Sequence, residues 1–166
     1  MVTDRTLDEL LPRLAELMLA RQLMLATAES CTGGLIAGAC TDLSGSSAWF
    51  ERGFVCYSND AKIELLGVDP ALIVAHGAVS DPVAGAMAAG AVARSHAQVS
   101  MAVTGVAGPS GGSPEKPVGT VWFGWSVDGI VSTERRLFDG DRAAIRAATV
   151  QHAIENLVTL LQPLPR

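Results

Sequence analysis

Short apolar runs that suit β-strands alternate along this chain with longer segments at helical spacing, and that alternation limits the fold more than any other feature. Leu7 to Arg21 places Leu10, Leu11, Leu14, Leu17 and Met18 three and four apart, the spacing of an amphipathic helix. Leu23 to Ala28 reads as a short buried strand, and the Ala- and Gly-rich stretch Thr32 to Leu43 as a tightly packed helix. Ser44 to Ser47 reads as a turn and Phe54 to Tyr57 as a second strand. Ser58-Asn59-Asp60 offers an N-cap to a helix from Ala61 to Leu66, stopped at Gly67, and Asp69-Pro70 starts another helical turn. Ser80-Asp81-Pro82 is a strong helix start, with the helix running to Ser95. Val99 to Thr104 is a third strand, followed by a glycine-rich loop from Gly105 to Gly119. Thr120 to Val127 and Ile130 to Phe138 form a hairpin around Asp128-Gly129, and Asp141 to Leu161 closes the chain as a helix.

The expected architecture is therefore α/β, a three-layer α/β/α sandwich around a mixed, mostly parallel sheet of about five strands, mixed because of the late hairpin. At 166 residues, with no repeat or linker, a single domain over 1–166 is expected. In such a sheet, a site lies where strand ends meet helix starts.

Composition narrows the function classes. Hydrophobic residues are 49% of the chain but aromatics only 5%, so the core must be built from Ala, Val, Leu and Ile. Charged residues are 17%, below the usual share of about 25%, which favours extensive burial, in part against further copies of the chain as a dimer or trimer. The net charge of −5, with Arg135-Arg136 as the sole adjacent basic pair, argues against nucleic acid as a partner. No apolar run is long enough to span a membrane, and Asp4, Asp8 and Glu9 stand where a leader would carry basic residues. Cys31, Cys40 and Cys56 have neither the even count of a disulfide framework nor metal-ligand spacing. A cytoplasmic location and no metal are expected. His76, His96 and His152 read as structural.

Four segments can carry chemistry. Thr27 to Gly34, TAESCTGG, runs a strand into a helix through Ser30, Cys31 and Thr32. Such a turn directs backbone N–H groups and the helix dipole at an anion or a forming oxyanion. Ser30 and Cys31 are both candidate nucleophiles, and a plain N-cap explains the pattern equally well. In the second segment, Phe54 to Lys62, no histidine is available as partner to a serine nucleophile. Lys62 can serve as base if burial keeps its amine neutral, with Tyr57 to relay or orient the proton. A solvated surface lysine is the ordinary alternative. The third is the loop after Thr104-Gly105, too long and glycine-rich for a simple connector and able to form an anion nest. Lys116 in this loop is either a substrate contact or, more simply, solvated. The fourth is Arg142 and Arg146, one turn apart on the closing helix. They suit a phosphate or simply a solvated face beside Asp141.

Taken together, these segments resemble the C-terminal domain family of CinA, the competence-damage-inducible proteins. The resemblance is carried by TAESCTGG at Thr27 to Gly34, GSSAWFERGFVCYSNDAK at Gly45 to Lys62, LLGV at Leu65 to Val68, HGAVS at His76 to Ser80, TGVAGPSGG at Thr104 to Gly112 and EKPVGTVWFG at Glu115 to Gly124. It runs from about Leu7 to the closing helix. The resemblance implies a nicotinamide-nucleotide amidase: water converts nicotinamide mononucleotide to nicotinate mononucleotide and ammonia, returning the ring to NAD synthesis, without cofactor or metal. It implies Ser30 as nucleophile, Lys62 as base and Tyr57 as a supporting hydroxyl. Thr32, Gly33, Ser46, Ser47, Thr104 and Gly105 would line the substrate pocket, and Arg142 would sit near the phosphate. Longer family members carry an additional N-terminal domain; this chain resembles the stand-alone form. Two rivals stay open: a Cys31-dependent hydrolase, and a non-catalytic nucleotide-binding module linked to competence or recombination.

Overall fold

The computed structural model describes residues 5–163; Asp4 of the leader argument lies outside them. Five strands form one sheet: β1 (Leu25–Glu29), β2 (Phe50–Val55), β3 (Val99–Gly105), β4 (Thr120–Val127) and β5 (Ile130–Leu137), in the order β2-β1-β3-β4-β5. β1 pairs in parallel with β2 and β3, while the β3–β4 and β4–β5 pairings are antiparallel. The mixed sheet expected from the hairpin is thus present, with β4 alone running against the other four strands. Asp128 and Gly129 turn the hairpin with φ of 54° and 75°, the paired left-handed conformation that such a two-residue turn demands.

Among the described residues, six α-helices cover the two faces. α1 (Leu7–Ala20), α2 (Leu35–Asp42) and α6 (Arg142–Leu161) lie on one; α3 (Asn59–Leu66), α4 (Pro70–His76) and α5 (Asp81–Ala93) lie on the other. The alternation of side chains along each strand divides the core accordingly. Leu25, Met101, Val103, Phe123 and Trp125 point to the α1/α2/α6 face, joined by Leu10, Leu14, Met18 and Ile154. Ala26, Ala28 and Ala102 point to the other face, where α5 supplies Val83, Met87, Ala88 and Ala91. The sheet thus presents bulky residues to one layer and small ones, Ala26, Ala28 and Ala102, to the other.

The small layer explains the Ala/Gly-rich sequence of α5: this helix packs inside the domain, close to the sheet and to α3. A Cβ on Gly90 would stand 2.1 Å from the Leu66 carbonyl oxygen, and one on Gly124 2.4 Å from that of Ala84. Both obstacles are backbone, so neither side chain rotation nor a small shift removes them. Gly90→Ala is therefore expected to destabilise the fold by about 1–3 kcal/mol, read as a lowered denaturation midpoint at unchanged slope.

Two elements begin three or more residues from where the sequence places them. The second strand is Phe50–Val55 rather than Phe54 to Tyr57. It is an edge strand, half-exposed, and carries Glu51 and Arg52, so register with β1 defines it, not apolar pattern. Cys56 and Tyr57 instead form the link into α3, capped by Ser58, whose side chain accepts from the Ala61 N–H at 3.0 Å. The second helix begins at Leu35 rather than Thr32, because Gly33 (φ 59°) and Gly34 (φ 106°) hold a left-handed turn first. No helix among the described residues is long and apolar enough to cross a membrane.

Candidate active site

Because β1, β2 and β3 are parallel, their C-terminal ends emerge on one edge of the sheet, bringing together Ser30, the Cys56-Tyr57 link and Thr104-Gly105. This is the expected crevice of an open α/β sheet. Ser30 follows β1 directly, and its N–H is held by the Val103 carbonyl at 3.1 Å. A cavity of about 180 Å³ opens here, lined by Ser30, Cys31, Tyr57, Lys62, Thr104 and Arg142 among others.

Lys62, on the second turn of α3, is 1% exposed. Its Nζ lies 2.9 Å from Ser30 Oγ, 3.2 Å from the Cys56 carbonyl oxygen and 3.1 Å from that of Tyr57. All three partners are neutral oxygens. Burial is the main cause that pushes the Lys62 pKa below its ordinary value of 10.5; no carboxylate contributes to holding the proton. A neutral amine has two N–H bonds and one lone pair. Nζ donates to all three oxygens, and the Ser30 hydroxyl donates to the Tyr57 carbonyl at 3.4 Å; once neutral, the same amine has a lone pair within reach of that hydroxyl. The 2.9 Å separation is within the reach that proton transfer between a hydroxyl and an amine requires.

The turn that presents Ser30 is held from within by Glu29. This carboxylate, 1% exposed, accepts from the Thr32 hydroxyl at 2.6 Å and from the N–H groups of Ile36 and Ala37 at 2.7 and 3.0 Å. It satisfies the open N-terminus of α2 and offsets its dipole, the service a capping residue performs. Thr32 and Gly33 are thus parts of the turn's scaffold rather than of the cavity wall. From outside, Arg146 donates to the carbonyls of Cys31 and Thr32 at 3.1 and 3.3 Å.

Cys31 shares the turn, but burial raises its thiol to about 11, so it is protonated at neutral pH. Cys56 is likewise pushed up to about 11, and Cys40, away from the cavity, to about 12.

Other expected residues fall into three groups. Thr104 and Gly105 line the cavity, with the Thr104 hydroxyl donating to the Ala78 carbonyl at 3.0 Å. Tyr57 is present through its backbone: its carbonyl faces Lys62, while its exposed hydroxyl lies 3.3 Å from the Arg142 guanidinium. Arg142 also donates to the Gly108 carbonyl at 2.9 Å, tying α6 to the glycine-rich loop. Ser46 and Ser47 do not reach the site. They sit in a short 3-10 turn (Ser46–Ala48) that leads into the start of β2, where Leu25 and Phe50 pair. A parallel strand separates its start from its end by its own length, roughly 17 Å for five residues, so they lie at the opposite edge of the sheet. None of the three histidines lines the cavity; the His152 ring instead packs on Phe123 with Nε2 3.0 Å from Glu134.

Several contributors had no clear signal in the sequence. Glu29 and the Ala78-Val79 wall are such cases, whereas Arg146, expected beside Arg142 at a phosphate or on a solvated face, reaches the Ser30 turn instead. The wall is joined to the loop by Lys116, whose ammonium donates to the His76 carbonyl at 2.6 Å. A second groove, of about 650 Å³, continues from the first past Ala107 and Arg142 and is bounded by Pro109, Val118 and Arg146.

The same arrangement of chain occurs in known proteins. A competence/damage inducible protein, CihA, of Agrobacterium tumefaciens superposes with a TM-score of 0.91 at 49% identity, over 96% of this chain and 97% of that one. A CinA superfamily protein of Escherichia coli superposes at 0.92 and 39% identity, over 96% and 92%. In sequence, the chain is 47% identical over 159 residues to the nicotinamide-nucleotide amidohydrolase PncC of Escherichia coli K12, covering 94% of this chain and 95% of the relative. It is 53% identical over 148 residues to the PncC of Pseudomonas putida, covering 89% and 92%. The CinA C-terminal domain model matches residues 7–161, the whole span from α1 to the end of α6, and the chain belongs to that family.

Proposed function

We propose that the protein hydrolyses the carboxamide of nicotinamide mononucleotide to nicotinate mononucleotide and ammonia, in the cytoplasmic recycling of pyridine nucleotides, with Ser30 as nucleophile and Lys62 as base. The observation that carries the reading is the buried Lys62 Nζ, 2.9 Å from Ser30 Oγ, with two backbone carbonyls as its other partners. The relatives named amidohydrolases supply the substrate. The protonated Cys31 thiol weighs against a cysteine hydrolase. A built nucleophile–base pair weighs against a purely binding module.

Neutral Lys62 accepts the Ser30 proton as Oγ bonds to the amide carbon. Backbone N–H groups of the Ser30 turn or of Gly105 hold the oxyanion. Lys62 then returns the proton to the amide nitrogen, the C–N bond breaks and ammonia leaves. Water, deprotonated by the same amine, attacks the ester; the C–Oγ bond breaks and Ser30 recovers its proton. No step needs a metal or cofactor.

The first cavity accommodates the carboxamide and ring, while ribose and phosphate extend outward along Arg142. Arg142 supplies the local positive charge that an anionic ligand needs in a protein of net charge −5. Arg142→Ala is expected to raise KM for nicotinamide mononucleotide about tenfold with a smaller effect on kcat, the loss of one charge-assisted contact. Steady-state kinetics check this. The reading itself is tested by incubating the purified protein with nicotinamide mononucleotide and following ammonia and nicotinate mononucleotide. Equimolar formation of both is expected, and absence of both contradicts it.

A further inference from the structure

Arg142 and Arg146 stand one turn apart on α6, spacing that invites a joint phosphate clamp. The structure gives them different partners. Arg142 reaches the Gly108 carbonyl and the Tyr57 hydroxyl, on the far wall of the cavity. Arg146 reaches back to the turn, with Nε 3.1 Å from the Cys31 oxygen and an Nη 3.3 Å from the Thr32 oxygen. Two adjacent carbonyls of the nucleophile turn are thus held by one planar guanidinium, whose forked donors a lysine cannot reproduce.

Cys31 and Thr32 are buried, and the Thr32 hydroxyl is held by Glu29, but the backbone of the turn has few bonds of its own. The turn contains two glycines in left-handed conformation, and its own closures are single bonds, Gly33 N–H to Ser30 and Leu35 N–H to Thr32, both at 3.1 Å. In a trans peptide the carbonyl and the following N–H point in opposite directions. Pinning the Cys31 and Thr32 carbonyls therefore sets the directions of the Thr32 and Gly33 N–H groups. Glu29 holds the helix end of the same turn, so the segment carrying Ser30 is fixed from both sides.

Resting on the amidase reading above, we infer that Arg146 is a positioning residue for Ser30, acting through the carbonyls of Cys31 and Thr32, and not a ligand of the substrate anion. Its loss lowers kcat while leaving KM nearly unchanged. A displacement of the nucleophile on the ångström scale costs on the order of 100-fold in rate.

The test pairs kinetics with amide exchange on the intact protein. Arg146→Ala is expected to lose on the order of 100-fold in kcat with KM for nicotinamide mononucleotide within about threefold of wild type. Arg146→Lys should fall between the two, and added guanidinium ions should restore part of the kcat of the alanine variant. Exchange at Gly33 and Leu35 in the free protein should be about tenfold faster in Arg146→Ala, a readout that needs no substrate. A KM raised tenfold or more at preserved kcat overturns the inference, because Arg146 then binds substrate. Unchanged kcat or unchanged exchange overturns it too. If the alanine variant fails to fold, as read by circular dichroism, Arg146→Lys is judged on the same criteria. If wild-type protein releases no ammonia from the nucleotide, it is the amidase reading that fails, and the exchange measurement decides the clamp alone.

Discussion

Lys62→Met is expected to lower kcat/KM for nicotinamide mononucleotide by about 10⁴-fold or more, close to 5.5 kcal/mol of transition-state stabilisation at about 1.36 kcal/mol per factor of ten. Methionine keeps the length and burial of the side chain and removes the amine that, on the proposed mechanism, takes the Ser30 proton. The site offers no substitute base: the remaining neighbours of Ser30 Oγ and Lys62 Nζ are carbonyls, and no histidine lines the cavity. Lys62 is buried among neutral oxygens, and burial is the chief cause that lowers its pKa, which favours the neutral amine. Comparable KM in the variant, measured by initial rates over a range of substrate, would separate loss of chemistry from loss of binding.

Ser30→Ala is expected to abolish turnover to the same degree, whereas Cys31→Ala keeps wild-type kcat within about threefold. The two residues are adjacent in one turn and indistinguishable by pattern. Their surroundings separate them. Ser30 Oγ has the amine of Lys62 at 2.9 Å, while the Cys31 thiol is raised to about 11 and stays protonated. The double variant Ser30→Ala with Lys62→Met should be no worse than either single change, since residues acting as one unit lose their function together. Retained activity in Ser30→Ala, together with loss in Cys31→Ala, would reverse the assignment.

What the sequence made legible follows a physical line. α1, the Asp128-Gly129 hairpin and α6 are strongly patterned and stand where the spacing places them. β2 was displaced because an edge strand with Glu51 and Arg52 has no apolar alternation to mark it. The pairing of Ser30 with Lys62, 32 positions apart, was accessible through the family resemblance and not through local pattern. Side chains alone also misdirect at Tyr57. Its carbonyl, not its hydroxyl, meets Lys62, and a backbone contribution depends on the path of the chain between Val55 and Asn59 rather than on residue type. Ser46 and Ser47 illustrate the converse: they belong to a segment that matches the family, yet parallel pairing carries them to the far edge of the sheet.

Glu29 satisfies the N-terminus of α2, Gly33 and Gly34 permit the left-handed reversal, and Arg146 holds the carbonyls outward. Together they fix the turn in which Ser30 Oγ lies 2.9 Å from the buried Lys62 amine.

The central claim is that neutral Lys62 takes the proton of Ser30, and the pH dependence of kcat/KM for nicotinamide mononucleotide tests it most directly. Protonated lysine cannot accept a proton, so the rate must rise with pH as the amine is freed and level off above its pKa. Since burial lowers that pKa, the plateau is reached below the ordinary lysine value of 10.5. A single ascending limb with its midpoint below 10.5, lost in Lys62→Met, is the result the structure predicts. A profile without that limb, or one left intact by Lys62→Met, would contradict it.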